Sequence, residues 1–144
     1  LLASDLIDVA QFHGDEDLAY CNAFAQEGLP FFKAIGVEND ADLSIAPRYH
    51  ASGILLDAHA PGVYGGTGQV IDWNMAAEFI DGQSSPPVIL AGGITPENAG
   101  EALLTTRACA LDVASGAESS PGTKDFSKVS SLLETVRSLW DNAD

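Results

Sequence analysis

Two apolar stretches that end in small residues decide the fold: Val88-Ile89-Leu90-Ala91-Gly92-Gly93-Ile94 and Ala110-Leu111-Asp112-Val113-Ala114-Ser115-Gly116. Each has the length of a buried strand, and each is followed by a helix-start signal, at residues 95–98 and 124–127. Small residues at a strand end leave backbone N–H groups open to a ligand, and the next helix presents its positive end to an anion. One such turn could simply redirect the chain, but two in this order indicate paired phosphate loops.

The rest of the chain alternates between strand-like and helix-like periodicity at a spacing of roughly 25 residues, as in repeated βα units. Strands are predicted over residues 6–12, 31–37, 53–57, 88–90 and 110–113. Helices are predicted over residues 15–27, 39–45, 74–80, 97–104 and 126–140. Near-continuous apolar strands indicate an α/β fold with a parallel sheet. Residues 1–144 would form a single partial (β/α)-barrel domain, because a full (β/α)8 barrel needs at least about 200 residues.

Composition favours a folded domain and excludes several classes of partner. The chain has 144 residues, of which 46% are hydrophobic, which suffices for a core. Six Lys and Arg against 21 Asp and Glu give a net charge of −15, which argues against nucleic acid and anionic membranes. With no targeting or membrane-spanning motif found, a cytoplasmic protein is expected. Cys21 and Cys109 lack metal-type spacing and are expected to be buried thiols.

Candidate chemical groups lie where the predicted strands end, because ligands of parallel α/β folds bind at the carboxyl ends of the strands. Asp57 follows four apolar residues; a partly desolvated carboxyl suits proton donation, although an aspartate there can equally cap a loop N–H. His13 would either orient substrate or complete a hydrogen bond at the mouth. Asp112 either faces the mouth or is paired in the core. The other polar candidates are Ser115 and Lys33, the latter in mid-strand.

A glycine-rich segment, residues 60–68, resembles a phosphate loop in composition. It lacks the Lys-Ser/Thr ending of a P-loop and no strand directly precedes it, which argues against a nucleotide site. We expect instead a loop that closes over substrate, with Gly66 and Gly68 approaching the substrate.

Taken in order, these stretches resemble phosphoribosylanthranilate isomerase, a (β/α)8-barrel enzyme of tryptophan biosynthesis. The matching segments are residues 11–16, 55–57, 65–68, 72–73, 91–98, 112–118 and 122–125. Each motif is weak alone, but the series is specific and runs through the whole chain. It resembles the fourth to eighth strands of the family's barrel, so the barrel is expected to be incomplete here.

The resemblance implies an Amadori rearrangement of N-(5′-phosphoribosyl)anthranilate to 1-(o-carboxyphenylamino)-1-deoxyribulose 5-phosphate. The family's general acid corresponds to Asp57, and its phosphate loops correspond to Gly92-Gly93 and Ser115-Gly116. The other residues assigned to substrate binding are His13, Gly66, Gly68 and Asp112. One departure is Ala114, which stands where the family commonly has a serine. The rearrangement requires only an acid and a base, so neither a metal nor an organic cofactor is expected.

A second departure concerns the general base, which in the family is a cysteine in a Lys-Ile-Cys-Gly segment at the end of the first strand. That segment does not occur in residues 1–144, and neither cysteine lies at the carboxyl end of a predicted strand. Since the chain starts at Leu1 and its single methionine is Met75, we expect a fragment that does not isomerise its substrate alone. Its open sheet edge would invite self-association.

Two alternatives stay open from the sequence. One is a non-catalytic phosphate-binding half-barrel that self-associates. The other is a neighbouring phosphoribosyl-type barrel enzyme such as indole-glycerol-phosphate synthase, for which Lys33 alone offers a candidate catalytic lysine.

Overall fold

The computed structural model of the chain describes residues 1–4, 6–58, 71–82 and 86–141. Its main sheet contains β1 (Ala10–Phe12), β2 (Phe31–Val37), β3 (Gly53–Ala58), β4 (Val88–Leu90) and β5 (Ala110–Leu111). The strands are all parallel and lie in sequential order from β1 to β5. Sequential order without reversal is the arrangement of a barrel segment, whereas a doubly wound sheet reverses its order at a switch point.

Five helices alternate with the strands. They are α1 (Leu18–Gln26), α2 (Asp40–Ser44), α3 (Trp73–Gly82), α4 (Ala99–Thr106) and α5 (Phe126–Asp141). Short 3-10 helices cover Leu2–Ser4, Ala46–Tyr49 and Ser115–Ala117. The predicted α/β fold with five parallel strands is therefore confirmed. Among the described residues, no strand pairs with the outer edge of β1 or β5, so the sheet is open.

The two faces of the sheet carry different residues. Helices pack on one face, which we call the helix face, against Phe31, Ile35, Ile54, Leu56 and Leu90. The opposite face, here called the inner face, carries the smaller cluster of Ala34, Leu55, Ile89 and Ala91. Side chains alternate between the two faces along a strand, and residues paired across strands share a face. The strand register therefore assigns each strand residue to the helix face or the inner face.

Local sequence signals fix several helix ends, although α1 begins three residues later than predicted. The Asp17 carboxylate accepts from the N–H of Tyr20 at 2.8 Å and caps α1. Asn39 and Asp42 form a capping box at the start of α2, which satisfies N–H groups that the helix leaves unpaired. After α1, Gly28 adopts a φ of +67°, a conformation that favours glycine at a helix end.

Two expectations were wrong, and one further element was not predicted. The first strand begins at Ala10, four residues later than predicted, because pairing with β2 starts at Ala10 opposite Phe31; Leu6 is 70% exposed. An antiparallel hairpin, β6 (Glu118–Ser120) and β7 (Thr123–Lys124), lies between β5 and α5. Cys109 is exposed, since it stands just before β5 at the open edge, whereas Cys21 is buried in α1 as expected.

Two features are absent from the described part of the chain. No helix there is long and apolar enough to cross a membrane. No group of three or more His, Cys, Asp and Glu side chains in the same residues could hold a metal ion.

Candidate active site

A cavity of about 440 Å³ lies at the carboxyl ends of the strands. The end of β3 and the segments that follow β1, β4 and β5 reach it, because the carboxyl ends of parallel strands meet on one side of the sheet. Its lining includes most of the residues that the sequence singles out: His13, Asp57, Gly92, Gly93, Asp112, Ser115 and Gly116. The predicted substrate residues Gly66 and Gly68 lie outside the described residues.

Asp57 is the second-last residue of β3 and lies on the inner face, where the register pairs it with Gly36. It is 8% exposed, so its carboxyl is largely removed from water while still lining the cavity. The Nε2 atom of His13 lies 3.3 Å from Oδ2 of Asp57. Of the two roles left open for His13, the structure therefore shows a polar contact with Asp57 at the mouth.

Gly92 brings the backbone close to this carboxyl. Its φ is +81°, and a Cβ atom there would lie 2.7 Å from Oδ1 of Asp57 and 2.7 Å from the backbone nitrogen of Ala58. Gly93 follows with a φ of +64°. Any side chain at Gly92 would be both conformationally strained and in collision with β3. Glycine is thus required for the turn to approach the acid.

Gly116 packs the second loop against the first. A Cβ atom at this position would lie 1.8 Å from the carbonyl oxygen of Ile94 and 3.2 Å from Cα of Thr95. Because both obstructing groups are backbone, no side-chain rotation could relieve the clash. The two loops after β4 and β5 therefore form one packed unit.

Several backbone N–H groups of these loops have no acceptor among the described residues. Those of Gly92, Gly93, Ser115 and Gly116 donate no hydrogen bond to another described residue. Groups of free backbone N–H donors lining a concave site favour an anion. The geometry is consistent with the predicted phosphate loops.

Asn98, which the sequence places in a helix-start signal and which is the N-cap residue of α4, also supports the first loop. Its side chain makes no cap bond to α4. Instead its Oδ1 accepts from the N–H of Thr95 at 2.8 Å, and its Nδ2 donates to the carbonyl of Gly93 at 2.9 Å. Asn98 thereby fixes the first loop from behind. No signal in one sequence separates this arrangement from an ordinary N-cap, because both use Asn at the same position.

Lys124 has a role in the site that sequence reasoning missed. Its Nζ donates to the carbonyl of Ala114 at 2.7 Å and to Oε1 of Glu118 at 3.0 Å. The bonds from Lys124 and from the N–H of Gly122 hold the pKa of Glu118 below its ordinary value. The turn residues Pro121 and Gly122 could have indicated the hairpin that carries Lys124.

The helix predicted over residues 126–140 is present as α5, but it does not follow the second loop directly. The hairpin separates the loop from α5, and Asp125 already occupies the start of that helix, accepting from the N–H of Ser127 at 2.9 Å. Hydrogen bonds from Ser127 and Lys128 hold the pKa of Asp125 below its ordinary value. The positive end of α5 is thus neutralised by the chain's own carboxylate.

Lys33 does not reach the cavity. It stands between Phe31 and Ile35, so alternation places it on the helix face, and its ammonium bonds to the segment that follows β1. The reading that needs a catalytic lysine at this position is therefore overturned by the fold.

Comparisons with known proteins agree with this geometry. The family model described as N-(5'phosphoribosyl)anthranilate (PRA) isomerase matches residues 2–135. The chain belongs to this family. The sequence is 45% identical over 141 residues to N-(5'-phosphoribosyl)anthranilate isomerase of Neisseria gonorrhoeae (strain NCCP11945), covering 96% of this chain and 64% of the relative. The chain thus spans somewhat less than two thirds of the length of this relative.

Solved structures of the PRA isomerase family share the fold. Phosphoribosyl anthranilate isomerase from Thermus thermophilus matches with a TM-score of 0.77 and 36% identity, over 96% of this chain and 64% of that one. A second such enzyme, solved in complex with reduced 1-(o-carboxyphenylamino)-1-deoxyribulose 5-phosphate, matches with a TM-score of 0.74 and 30% identity, over 92% and 60%. The predicted family resemblance is confirmed.

Proposed function

We propose that residues 1–144 form a single partial barrel domain that supplies the general acid and the phosphate loops of a PRA isomerase acting in tryptophan biosynthesis. One observation carries the proposal: the buried carboxyl of Asp57 and the two glycine loops line the same cavity. Family membership supports the reaction class, and the ligand of the solved relative is a phosphorylated product analogue by its chemical name.

In the proposed reaction Asp57 protonates the furanose ring oxygen of N-(5′-phosphoribosyl)anthranilate. The bond from C1′ to that oxygen then breaks, and the lone pair of the anthranilate nitrogen forms the C=N bond. A base next removes the proton on C2′, and tautomerisation gives the 1-deoxyribulose ketone. A largely buried carboxyl within reach of a ligand is suited to the first step. His13, 3.3 Å from Asp57, would keep the carboxyl oriented.

Substrate binding would rest on the backbone of the two loops. The N–H groups of Gly92, Gly93, Ser115 and Gly116 would receive the phosphate, since they donate to no other described residue. Asp112 lines the same cavity and would contact the ribose hydroxyls. Backbone donors fit a chain whose net charge is −15, and we place the enzyme in the cytoplasm.

The second step needs a base that neither cysteine supplies. Cys21 is fully buried under α1, and burial raises the pKa of its thiol, whereas a thiolate base needs a lowered one. The Sγ of Cys109 donates to the carbonyl of Val88, the first residue of β4, at the opposite end of the strands from the cavity. We therefore propose that the 144-residue polypeptide is inactive alone.

An isomerase assay on two polypeptides tests the proposal. One is the 144-residue chain, and the other joins it to the part of the Neisseria relative that lies outside the alignment. We expect no turnover from the first and turnover from the second. Asp57→Asn in the joined protein should lower kcat by about 10²- to 10⁴-fold, because the neutral amide cannot protonate the ring oxygen.

The other outcomes are also decisive. A folded joined protein without turnover would reject the isomerase proposal. Turnover by the 144-residue chain would reject the proposed lack of a base. Sedimentation of the 144-residue chain tests the proposed self-association through its open edge, for which a monomer at all concentrations would be a negative result.

A further inference from the structure

Lys33 is the most deeply buried charged side chain among the described residues, at 3% exposure. Its ammonium has three acceptors: the carbonyl of Phe12 at 3.4 Å, the carbonyl of Gly14 at 2.8 Å and Oε2 of Glu16 at 3.0 Å. A lysine ammonium has three N–H donors, so each can be used. All three acceptors belong to the short segment that leaves β1 for α1, residues 12–16.

These acceptors lie next to His13 in the chain, so the bonds from Lys33 bear on the position of His13. Two of them are the carbonyl groups of the residues directly before and after His13. Phe12 packs on the helix face against Phe24 and Phe31, so alternation turns His13 to the inner face, where it meets Asp57. Lys33 thus holds the backbone on both sides of the residue that contacts the proposed acid.

We infer that Lys33 is a positioning residue: by binding the carbonyls of Phe12 and Gly14 from the helix face, it fixes His13 against Asp57 on the inner face. The expected effect on catalysis rests on the proposed function. The expected contact between His13 and Asp57 does not depend on it. Lys33 itself touches no substrate, because it lies on the opposite side of the sheet.

The surroundings of the ammonium explain why it stays in place. Glu16 pairs with Lys33 and also accepts from the N–H of Gly14 at 3.0 Å. The segment therefore curves around the ammonium group. Burial opposes ionisation of Glu16, but the hydrogen bonds from Lys33 and from the backbone outweigh it and lower its pKa. The Tyr49 ring lies 5.7 Å from the ammonium. A buried charge held by paired and aromatic groups has little freedom to move.

The first test needs no turnover and uses the 144-residue chain. We expect nuclear Overhauser contacts between the ring protons of His13 and the β-protons of Asp57 in the unaltered protein, and their loss in Lys33→Met. Arg107→Met is the matched control, since it removes an exposed ion pair between Arg107, which follows α4, and Asp81 on α3, and it should keep the contacts. Persistence of the contacts in folded Lys33→Met would overturn the inference.

A second variant covers the case in which Lys33→Met does not fold. Glu16→Ala leaves the lysine but removes its partner and the acceptor of the Gly14 N–H, and Glu16 is partly exposed, so folding is disturbed less. We expect faster amide exchange at Gly14 and weaker contacts between His13 and Asp57. Unchanged exchange together with unchanged contacts would count against Lys33 acting through this segment.

The kinetic test separates positioning from general destabilisation and uses the joined protein of the isomerase assay. Lys33→Met should lower kcat by roughly 10- to 100-fold with KM nearly unchanged, because small displacements of catalytic groups have effects of this size. In a His13→Ala background the same change should cost less than about threefold, since residues that act as a unit are not additive. An equal loss in both backgrounds would show a merely structural role.

Discussion

The two segments that enter the cavity from the edges of the sheet are each held by a lysine, in opposite surroundings. The segment after β1 closes around Lys33, whose side chain is 4% exposed. The segment after β5 is bound by Lys124, whose side chain is 48% exposed. Both ammonium groups donate to backbone carbonyls and to one glutamate. Because water competes with an exposed pair and not with a buried one, the same chemistry should matter far more after β1.

The second segment is also fixed by close packing of its backbone. Gly116 places its backbone directly against the carbonyl of Ile94, and this contact needs no charge. The comparison shows two ways of fixing a loop at one site: a buried polar network at one edge and a backbone contact that admits only glycine at the other. Substitutions can separate these two contributions.

The largest effect is expected at the backbone contact. Gly116→Ala should lower the free energy of unfolding by about 3 kcal/mol, since the added methyl group must push the two loops apart. Urea denaturation measures this. Gly82→Ala is the matched control, because a Cβ atom at Gly82 meets nothing within 4 Å. Equal effects of the two substitutions would contradict the packing of one loop on the other.

The next effect in size compares the two lysines directly. Lys33→Met should lower the free energy of unfolding by roughly 2 to 3 kcal/mol, because it leaves Glu16 and two carbonyls without their donor. Lys124→Met should change it little, because the side chain of Lys124 is 48% exposed and water competes for its hydrogen bonds. Urea denaturation of both variants under identical conditions measures the two losses in free energy of unfolding. A larger loss for Lys124→Met would contradict the expectation that the lysine matters more in the segment after β1.

The smallest effect concerns pH. The pKa of Glu16 is lower in the folded chain than its ordinary value of 4.5, so its contribution to stability is present above pH 4.5 and is lost as pH falls through the folded value. Glu16→Gln should therefore reduce the slope of stability against pH between about pH 5 and 3. Denaturation at several pH values measures the slope. Parallel curves for the variant and the unaltered chain would show that Glu16 is not linked to folding.

Sequence patterns predicted the alternation of strands and helices and most of the residues that line the cavity, because these follow from local composition. The bounds predicted for β2 are those observed, and the capping signal at Asn39 was read correctly. The start of β1 could not be predicted, since a strand extends only as far as its pairing with the neighbouring strand. The exposure of Cys109 could not be predicted either, because it depends on the open edge beside β5. The face of Lys33 was predictable from its apolar neighbours at i−2 and i+2, but its bonds required the fold.

The most direct test of the central claim is a titration of the ¹⁵N-labelled 144-residue chain with reduced 1-(o-carboxyphenylamino)-1-deoxyribulose 5-phosphate. The account predicts amide shift changes concentrated at residues 92–93 and 115–116, with binding weakened by Gly116→Ala and retained in Gly82→Ala. Shift changes confined to other surfaces, or binding that Gly116→Ala leaves intact, would contradict the assignment of these loops as the phosphate site.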